Sequence, residues 1–167
     1  MTKDIIALAE KIDGYVGCTF MGLSAMSNSY ERFLGMQGMH GAYASSMANK
    51  EADLIIGVGV RFSDRATGNV QKYAQNAKII QLDTDLSEIN KNVKVDIGII
   101  GDIVSSFSRI LNRCEPKKRP EWTAMINEFK AKGQEVRRQE EEAAGDALTT
   151  KKRFDVINAV KDAHTVI

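Results

Sequence analysis

A short apolar run with two glycines, residues 54–60, constrains the fold of this chain more than any other feature. A continuous apolar run of this length predicts a strand that is buried on both faces, as in a parallel sheet covered by helices. The run ends at Arg61, and a second cation, Arg65, follows. Because ligands of open α/β sheets bind at the carboxyl ends of the strands, these charges mark a candidate binding edge.

The rest of the chain alternates apolar runs with amphipathic stretches. Three further strands are predicted near residues 15–21, 78–82 and 95–100, and helices near residues 3–13, 42–50, 103–111, 121–144 and 153–163. Strands that alternate with helices predict an α/β fold. We therefore expect a doubly wound parallel sheet of at least four strands, with helices on both faces.

Charge and cysteine content narrow the function classes. The 167 residues carry 23 basic and 22 acidic side chains, a formal net charge of +1, which gives no electrostatic case for binding nucleic acid or membranes. Cys18 and Cys114 lack the spacing of a metal or redox motif, which favours reduced thiols and a cytoplasmic location. No apolar run approaches the roughly 20 residues of a membrane span.

Gly57 and Gly59 form a GxG pattern with two open interpretations. A dinucleotide-binding turn needs a third glycine, and Phe62 stands at that position. Asp83, at the end of the next strand, has the spacing of an acid that holds a ribose hydroxyl. Tight packing of the strand is the alternative for the glycines, and a role in a turn is the alternative for Asp83.

The charged residues near the other strand ends also allow two interpretations. Arg61 and Arg65 repel each other unless an anion or carboxylates lie between them, so they form either an anion site or a loop paired with Asp64. Asp102 follows the fourth strand and is expected to cap a helix. His40 stands between glycines and is no metal site by itself.

Three segments carry a family resemblance: FLGMQGMHG at residues 33–41, GVGVRFSDRATGN at 57–69, and IIQLDTD at 79–85 followed by Ile89-Asn90-Lys91. In this order and spacing they resemble the acetolactate synthases (acetohydroxyacid synthases), a family of thiamine-diphosphate enzymes. The likeness covers roughly residues 3–114. It implies the central, Rossmann-like domain of the large subunit, which binds FAD in that family.

The resemblance also implies roles for individual residues. Arg61 is expected near the diphosphate of FAD, and Asp83 and Asp102 beside its adenosine half. Asp64 and Arg65 are expected to lie nearer the substrate channel to the thiamine site. The complete set of cofactor-binding residues implied by the resemblance is Thr19, Phe20, Met21, Gly38, Met39, His40, Gly41, Gly59, Arg61, Arg65, Asp83 and Asp102.

The family pattern divides the chain into three parts. Residues 1–115 correspond to the central domain, 116–150 to a linker with a long helix, and 151–167 to the start of the thiamine-diphosphate-binding domain, where a strand begins at 165–167. The family's first strand and glycine-rich loop have no counterpart, so a truncated domain is expected. Ser63 replaces an acid that the family usually has.

The loss of that loop bears on cofactor binding. Its backbone N–H groups would serve the diphosphate, so we expect an empty groove with weak affinity for FAD. No catalytic residue and no metal site is expected in this chain. Thiamine diphosphate and magnesium are expected elsewhere in the parent enzyme, and the fragment alone is expected to be inactive.

By resemblance, the parent enzyme condenses pyruvate with a second pyruvate or with 2-ketobutyrate, with loss of carbon dioxide, in branched-chain amino acid biosynthesis. The alternatives are another thiamine-diphosphate enzyme, such as glyoxylate carboligase or pyruvate oxidase, an NAD-binding module, and a structural domain without a cofactor. The expected partners are further copies of the chain, other domains of the parent and a regulatory small subunit. Association is expected through the open sheet edge or the apolar stripe of helix 121–144.

Overall fold

A computed structural model describes residues 1–145 and 147–161 of the chain. These residues form two compact units, Met1–Lys132 and the described residues from Gly133 onward. The strand start expected at residues 165–167 lies outside the described residues. The domain boundary expected at residue 115 stays a prediction.

All four predicted strands are confirmed. A fifth strand, which was not predicted, lies at Phe33–Met36. The helices and strands are α1 (Thr2–Ile12), β1 (Val16–Cys18), β2 (Phe33–Met36), α2 (Tyr43–Glu51), β3 (Leu54–Val58), α3 (Asp64–Thr67), β4 (Lys78–Asp83), β5 (Ile97–Ile100), α4 (Ile103–Arg113), α5 (Pro120–Ala144) and α6 (Thr150–Val160). The first strand is shorter than expected, because Phe20–Ala25 form a 3₁₀ helix.

The strands form two parallel sheets and not one sheet of four or more strands. β1 pairs with β2, whereas β3, β4 and β5 form a second sheet in that order. The expectation of a single sheet was wrong because β1 takes β2 as its partner and forms no ladder with β3. The α/β class and the parallel pairing are confirmed.

The three-stranded sheet separates two apolar clusters because side chains alternate between its faces. On one face Leu82 and Phe107 pack with Leu8, so α1 and α4 cover this side. On the other face Ile79 packs with Phe62 and neighbouring apolar residues. That second face is covered by residues 60–77 and 89–95, whose one α-helix is the single turn α3, so the expectation of helices on both faces holds for one face of this sheet.

The apolar stripe of α5 is buried within its own unit at its N-terminal end. Ile126 is completely buried and packs with Leu34, Ala44 and Ala48 of β2 and α2. This part of the stripe is therefore covered within the chain and is not free for the association expected through it. Two exposed residues of the stripe remain, Met125 at 38% and Val136 at 37% exposure.

Asp13 joins three segments that are distant in sequence. It ends α1 in a left-handed conformation, with φ of 57°. Its carboxylate forms an ion pair with Arg32 at 2.6 Å and accepts a hydrogen bond from the backbone N–H of Arg119 at 2.6 Å. The proline-flanked linker is therefore fixed against α1, and Lys117 adds a backbone bond to Lys11.

The described part of the second unit is the C-terminal part of α5 followed by α6. Thr149 caps α6 by accepting a hydrogen bond from the backbone N–H of Lys152. Lys151 forms ion pairs with Asp155 at 2.7 Å and with Glu141 at 3.7 Å. Among the helices of the described residues, none is long and apolar enough to cross a membrane.

Candidate functional site

The candidate site lies at the carboxyl edge, by which we mean the ends of the five strands and the residues that follow them. Backbone hydrogen bonds connect neighbouring strand ends along this edge. In each of them a backbone N–H donates to a backbone carbonyl oxygen. The donor and acceptor residues are Gln37 and Cys18 (2.7 Å), Met39 and Arg65 (2.9 Å), Gly59 and Leu82 (2.8 Å), and Gly101 and Asp83 (3.1 Å). The residues predicted from five separate segments thus lie along one continuous edge.

The glycine turn, residues 38–41, rests on the backbone of the arginine loop. Gly38 has φ of 102°, and a Cβ atom there would collide with the carbonyl oxygen of Arg65. A Cβ atom on Gly41 would lie 2.6 Å from the carbonyl oxygen of Met36. Only glycine therefore permits this close approach, while Met39 and His40 between the glycines remain exposed.

Arg61 and Arg65 are both exposed at the carboxyl edge. Neither forms an ion pair with a carboxylate of the described residues. The Asp64 carboxylate instead accepts a hydrogen bond from the backbone N–H of Arg65 at 2.8 Å. The interpretation of an ion-paired loop is therefore wrong for this conformation, and both guanidinium groups are available to an anion.

Gly57 lies within β3 and Gly59 directly follows it, and each position requires glycine for a different reason. A Cβ atom on Gly57 would lie 2.7 Å from the ring of Phe62, so this glycine makes room for a buried aromatic side chain. Phe62 is 3% exposed and belongs to the apolar core. Gly59 has φ of 60°, which favours glycine. The packing interpretation therefore accounts for Gly57, and the missing third glycine is a core phenylalanine.

The acids at the edge are hydrogen-bonded to their own turns. The carboxylate of Asp83 accepts a hydrogen bond from the N–H of Asp85 at 3.0 Å, and that of Asp102 accepts one from Ser105 at 2.7 Å. The bond from Ser105 lowers the pKa of Asp102. The predicted helix cap at Asp102 is confirmed.

Asp85 is an edge residue to which the sequence assigned no site role. Hydrogen bonds from Ser87 lower the pKa of Asp85, and the charges of Lys91 and Arg61 lower it further. Arg61 thus has an acidic neighbour outside its own loop. The available signal was the position of Asp85 two residues beyond Asp83, at the end of the same strand.

Exposed apolar side chains follow β1 and β2. Phe20 is 73% and Met21 86% exposed after β1, and Met39 is 62% exposed after β2. Thr19 and Met21 also line a cavity of about 650 Å³, whereas Gly38 and Met39 line a smaller one of about 240 Å³. The structure thus places all twelve predicted residues at the edge without gathering them in one cavity.

A family of known proteins matches most of this chain. The sequence pattern of one family, described as the central domain of thiamine pyrophosphate enzymes, matches residues 1–110. This range includes every residue of the carboxyl edge discussed above. The chain belongs to this family. Its α/β fold with parallel strands agrees with this membership.

Several relatives share a single name. The chain is 40% identical over 137 residues to the acetolactate synthase large subunit of Haemophilus influenzae, which covers 78% of this chain and 24% of that protein. It is 46% identical over 105 residues to the acetolactate synthase large subunit of Lactococcus lactis, covering 63% and 18%. A probable acetolactate synthase large subunit of Methanocaldococcus jannaschii is 39% identical over 132 residues, covering 77% and 22%. The chain therefore spans about a quarter or less of these relatives.

The groups at the carboxyl edge fit the parts of FAD. Arg61 and Arg65 suit a diphosphate, because an arginine fork binds phosphate oxygens in two-point fashion. No side chain caps the first turn of α2 after the glycine turn, so its backbone N–H groups are also available to an anion. The exposed apolar side chains Phe20, Met21 and Met39 suit a flat ring. Within residues 1–145 and 147–161, no cluster of three or more metal-ligating side chains accompanies them.

Proposed function

We propose that this chain is the FAD-binding central domain of an acetolactate synthase large subunit. The observation that carries the proposal is the hydrogen bond from Met39 to Arg65, which brings the glycine turn after β2 against the arginine loop after β3. The similarity to acetolactate synthase large subunits from several organisms supports it.

In this proposal, different residues of the carboxyl edge contact different parts of FAD. Arg61 and Arg65 neutralise the diphosphate, and the Asp83 carboxylate keeps acceptor capacity for a ribose hydroxyl beyond its bond to Asp85. Met39 contacts the flat ring, and Asp102 lies near the adenosine half. Asp64 and Arg65 border the channel towards the thiamine site.

The reaction belongs to the whole parent protein. We propose that it joins two 2-keto acids, pyruvate with pyruvate or 2-ketobutyrate, with loss of carbon dioxide. Thiamine diphosphate with magnesium, held by other domains, supplies the carbanion stabilisation, and FAD serves as a structural group. The proposed partners are these other domains, further copies and a regulatory small subunit, in the cytoplasm. This chain contributes the binding of FAD and no catalytic residue.

The test uses the open reading frame that contains this chain, expressed in full and supplied with thiamine diphosphate, magnesium and FAD. We expect acetolactate to form from pyruvate, and Arg61→Ala to lower the activity at limiting FAD, with recovery in excess FAD. The matched control is Arg109→Ala, which removes an exposed arginine of α4 and leaves the activity unchanged. Condensation of glyoxylate without acetolactate, or oxygen consumption with pyruvate, would assign the protein to one of the alternative enzymes.

A further inference from the structure

The cavity of about 650 Å³ separates β1 from β3 inside the first compact unit. Residues of both strands line it, among them Gly17, Cys18, Ile56 and Val58. Among the described residues, β1 pairs only with β2, and β3 pairs only with β4. Two parallel strands therefore face one cavity, each with one unpaired edge. We call this cavity the strand slot.

Alternate residues of β3 direct their backbone groups into the strand slot. The carbonyl of Asp53 accepts a hydrogen bond from Lys78 at 2.9 Å, and the N–H of Gly59 donates to Leu82 at 2.8 Å. In a parallel ladder, the residues that bond one neighbour alternate with those that face the other side. The residues whose backbone groups face the slot are Leu54, Ile56 and Val58.

The edge of β1 has the same character. The N–H of Val16 donates to the carbonyl of Arg32 at 2.9 Å, and the carbonyl of Cys18 accepts from Gln37 at 2.7 Å. Both bonds belong to the side that faces β2. Gly17, between them, therefore directs its N–H and carbonyl towards the slot, where buried backbone groups need hydrogen-bond partners.

Most of the helix residues that line the slot are apolar, whereas Gln37, Asn49 and Glu121 add polar groups to its lining. Ile5 and Leu8 of α1 line one part of it, and Ala48 of α2 with Trp122 and Met125 of α5 line another. A strand that lies between helices on both faces reads as a continuous apolar run, without alternation of polar residues. The apolar majority of the lining therefore favours an occupant with apolar side chains.

We propose that the strand slot binds one extended apolar peptide segment of about five residues as a strand between β1 and β3, since three residues of β3 and one of β1 offer it hydrogen bonds. The bond from Met39 to Arg65 places the carboxyl ends of both strands on one edge, so the segment has the same orientation relative to β1 as to β3. Its insertion joins the two sheets into one of six strands. The slot lies between two strands of the fold, and it meets the FAD groove proposed at the carboxyl edge at Thr19, Met21 and Gly59, which line the cavity as well.

The test follows the two cysteines of the chain with a synthetic peptide. The peptide carries Val-Ile-Val-Ala-Val between flanking lysines, and a control of the same sequence is N-methylated at alternate residues, which removes its N–H donors on one edge. Cys18 lines the slot, whereas Cys114 lies outside it. We expect the first peptide to slow alkylation of Cys18 in a saturable 1:1 manner, with Cys114 unaffected, and the methylated peptide to bind at least about tenfold more weakly.

Two neighbouring substitutions on α5 provide the protein control. Met125 lines the slot and is 38% exposed, whereas Ala124 is exposed outside it. Met125→Asp introduces a carboxylate beside the apolar segment and is expected to weaken peptide binding at least about tenfold. Ala124→Asp places the same group one residue away and is expected to leave binding unchanged, and circular dichroism verifies that both variants fold.

Three outcomes would overturn the proposal. The first is the absence of Cys18 protection by the unmodified peptide, and the second is equal protection by both peptides, which indicates unspecific apolar contact. The third is a dimer in which Cys18 is already protected and becomes reactive on dilution, because a second copy then fills the slot. These readouts involve no flavin, so they leave the FAD proposal to its own test.

Discussion

The backbone N–H of Met39 donates a hydrogen bond to the carbonyl oxygen of Arg65, and the two atoms lie 2.9 Å apart. This bond connects segments that follow strands of different sheets, β2 and β3. It depends on Gly38, whose missing side chain lets the two backbones approach. The position of the Arg65 guanidinium therefore depends on the glycine turn, although the two are 26 residues apart.

Gly38→Ala tests this dependence. The new methyl group meets the backbone of Arg65 and Ala66 and requires a side chain at φ of 102°. We expect the free energy of unfolding to fall by about 3 kcal/mol, from strain and from displacement of the arginine loop. Urea denaturation measures this loss.

The matched control is Gly68→Ala, near the end of the same loop. Gly68 also has a positive φ, 63°, but a Cβ atom there meets nothing within 4 Å. Its cost is backbone strain alone, about 1 kcal/mol. Equal losses for the two variants would contradict the close approach of Gly38 to Arg65.

Asp13→Asn tests the junction of α1, β2 and the linker. Asparagine tolerates the left-handed conformation at this position, so the substitution removes the charge with little backbone strain. Arg32 then loses its ion pair in a site where the Asp13 side chain is 6% exposed. We expect a loss of about 2 kcal/mol in the free energy of unfolding, compared with less than about 0.5 kcal/mol for Asp4→Asn, whose half-buried carboxylate pairs, among the described residues, only with the N-terminal amine.

The same carboxylate gives the stability a defined pH dependence. The hydrogen bond from the Arg119 backbone and the interactions with Arg32 hold the pKa of Asp13 below its usual value of 3.8. A lowered folded-state pKa contributes stability that is present above the unfolded-state pKa and is lost as the pH falls towards the folded-state pKa. The difference between wild type and Asp13→Asn in urea titrations should therefore be constant above about pH 5 and shrink below about pH 4. A pH-independent difference would argue against an ionised Asp13.

Ile126→Ala tests the packing of the N-terminal part of α5 within the first unit. Ile126 is completely buried against Leu34, Ala44 and Ala48. Truncation of such a side chain costs about 2–5 kcal/mol in the free energy of unfolding. Met125→Ala, at a residue that is 38% exposed on the same helix, should cost less than about 1.5 kcal/mol. Similar small losses for both would show that α5 does not need this contact.

The sequence predicted the strands that contain short runs of apolar residues. Residues 54–60 and 78–82 are runs long enough to identify a buried strand, and both lie in the three-stranded sheet. The site residues after these strands were found for the same reason, because in a parallel sheet the carboxyl ends share an edge. Arg61 and Asp83 illustrate this argument, since each directly follows such a run.

The pairing of the strands depends on contacts that no local pattern contains. β2 has only two consecutive apolar residues, Phe33 and Leu34, before Gly35, so its sequence resembled a loop. The burial of Ile126 depends on Ala44 and Ala48, whose small side chains leave room for α5. Phe62 replaces an expected glycine because its ring occupies the space above Gly57. In each case a contact between distant residues decides the structure.

Titration of FAD into this chain, followed by flavin fluorescence, tests the central claim most directly. We expect weak, saturable binding with a Kd of about 0.1–1 mM, and at least about tenfold weaker binding for Arg61→Ala. Arg109→Ala removes an equally exposed arginine from α4 and should bind FAD as the unmodified chain does. An absence of saturable binding at millimolar FAD, or an equal loss for both variants, would contradict the assignment of the carboxyl edge as an FAD site.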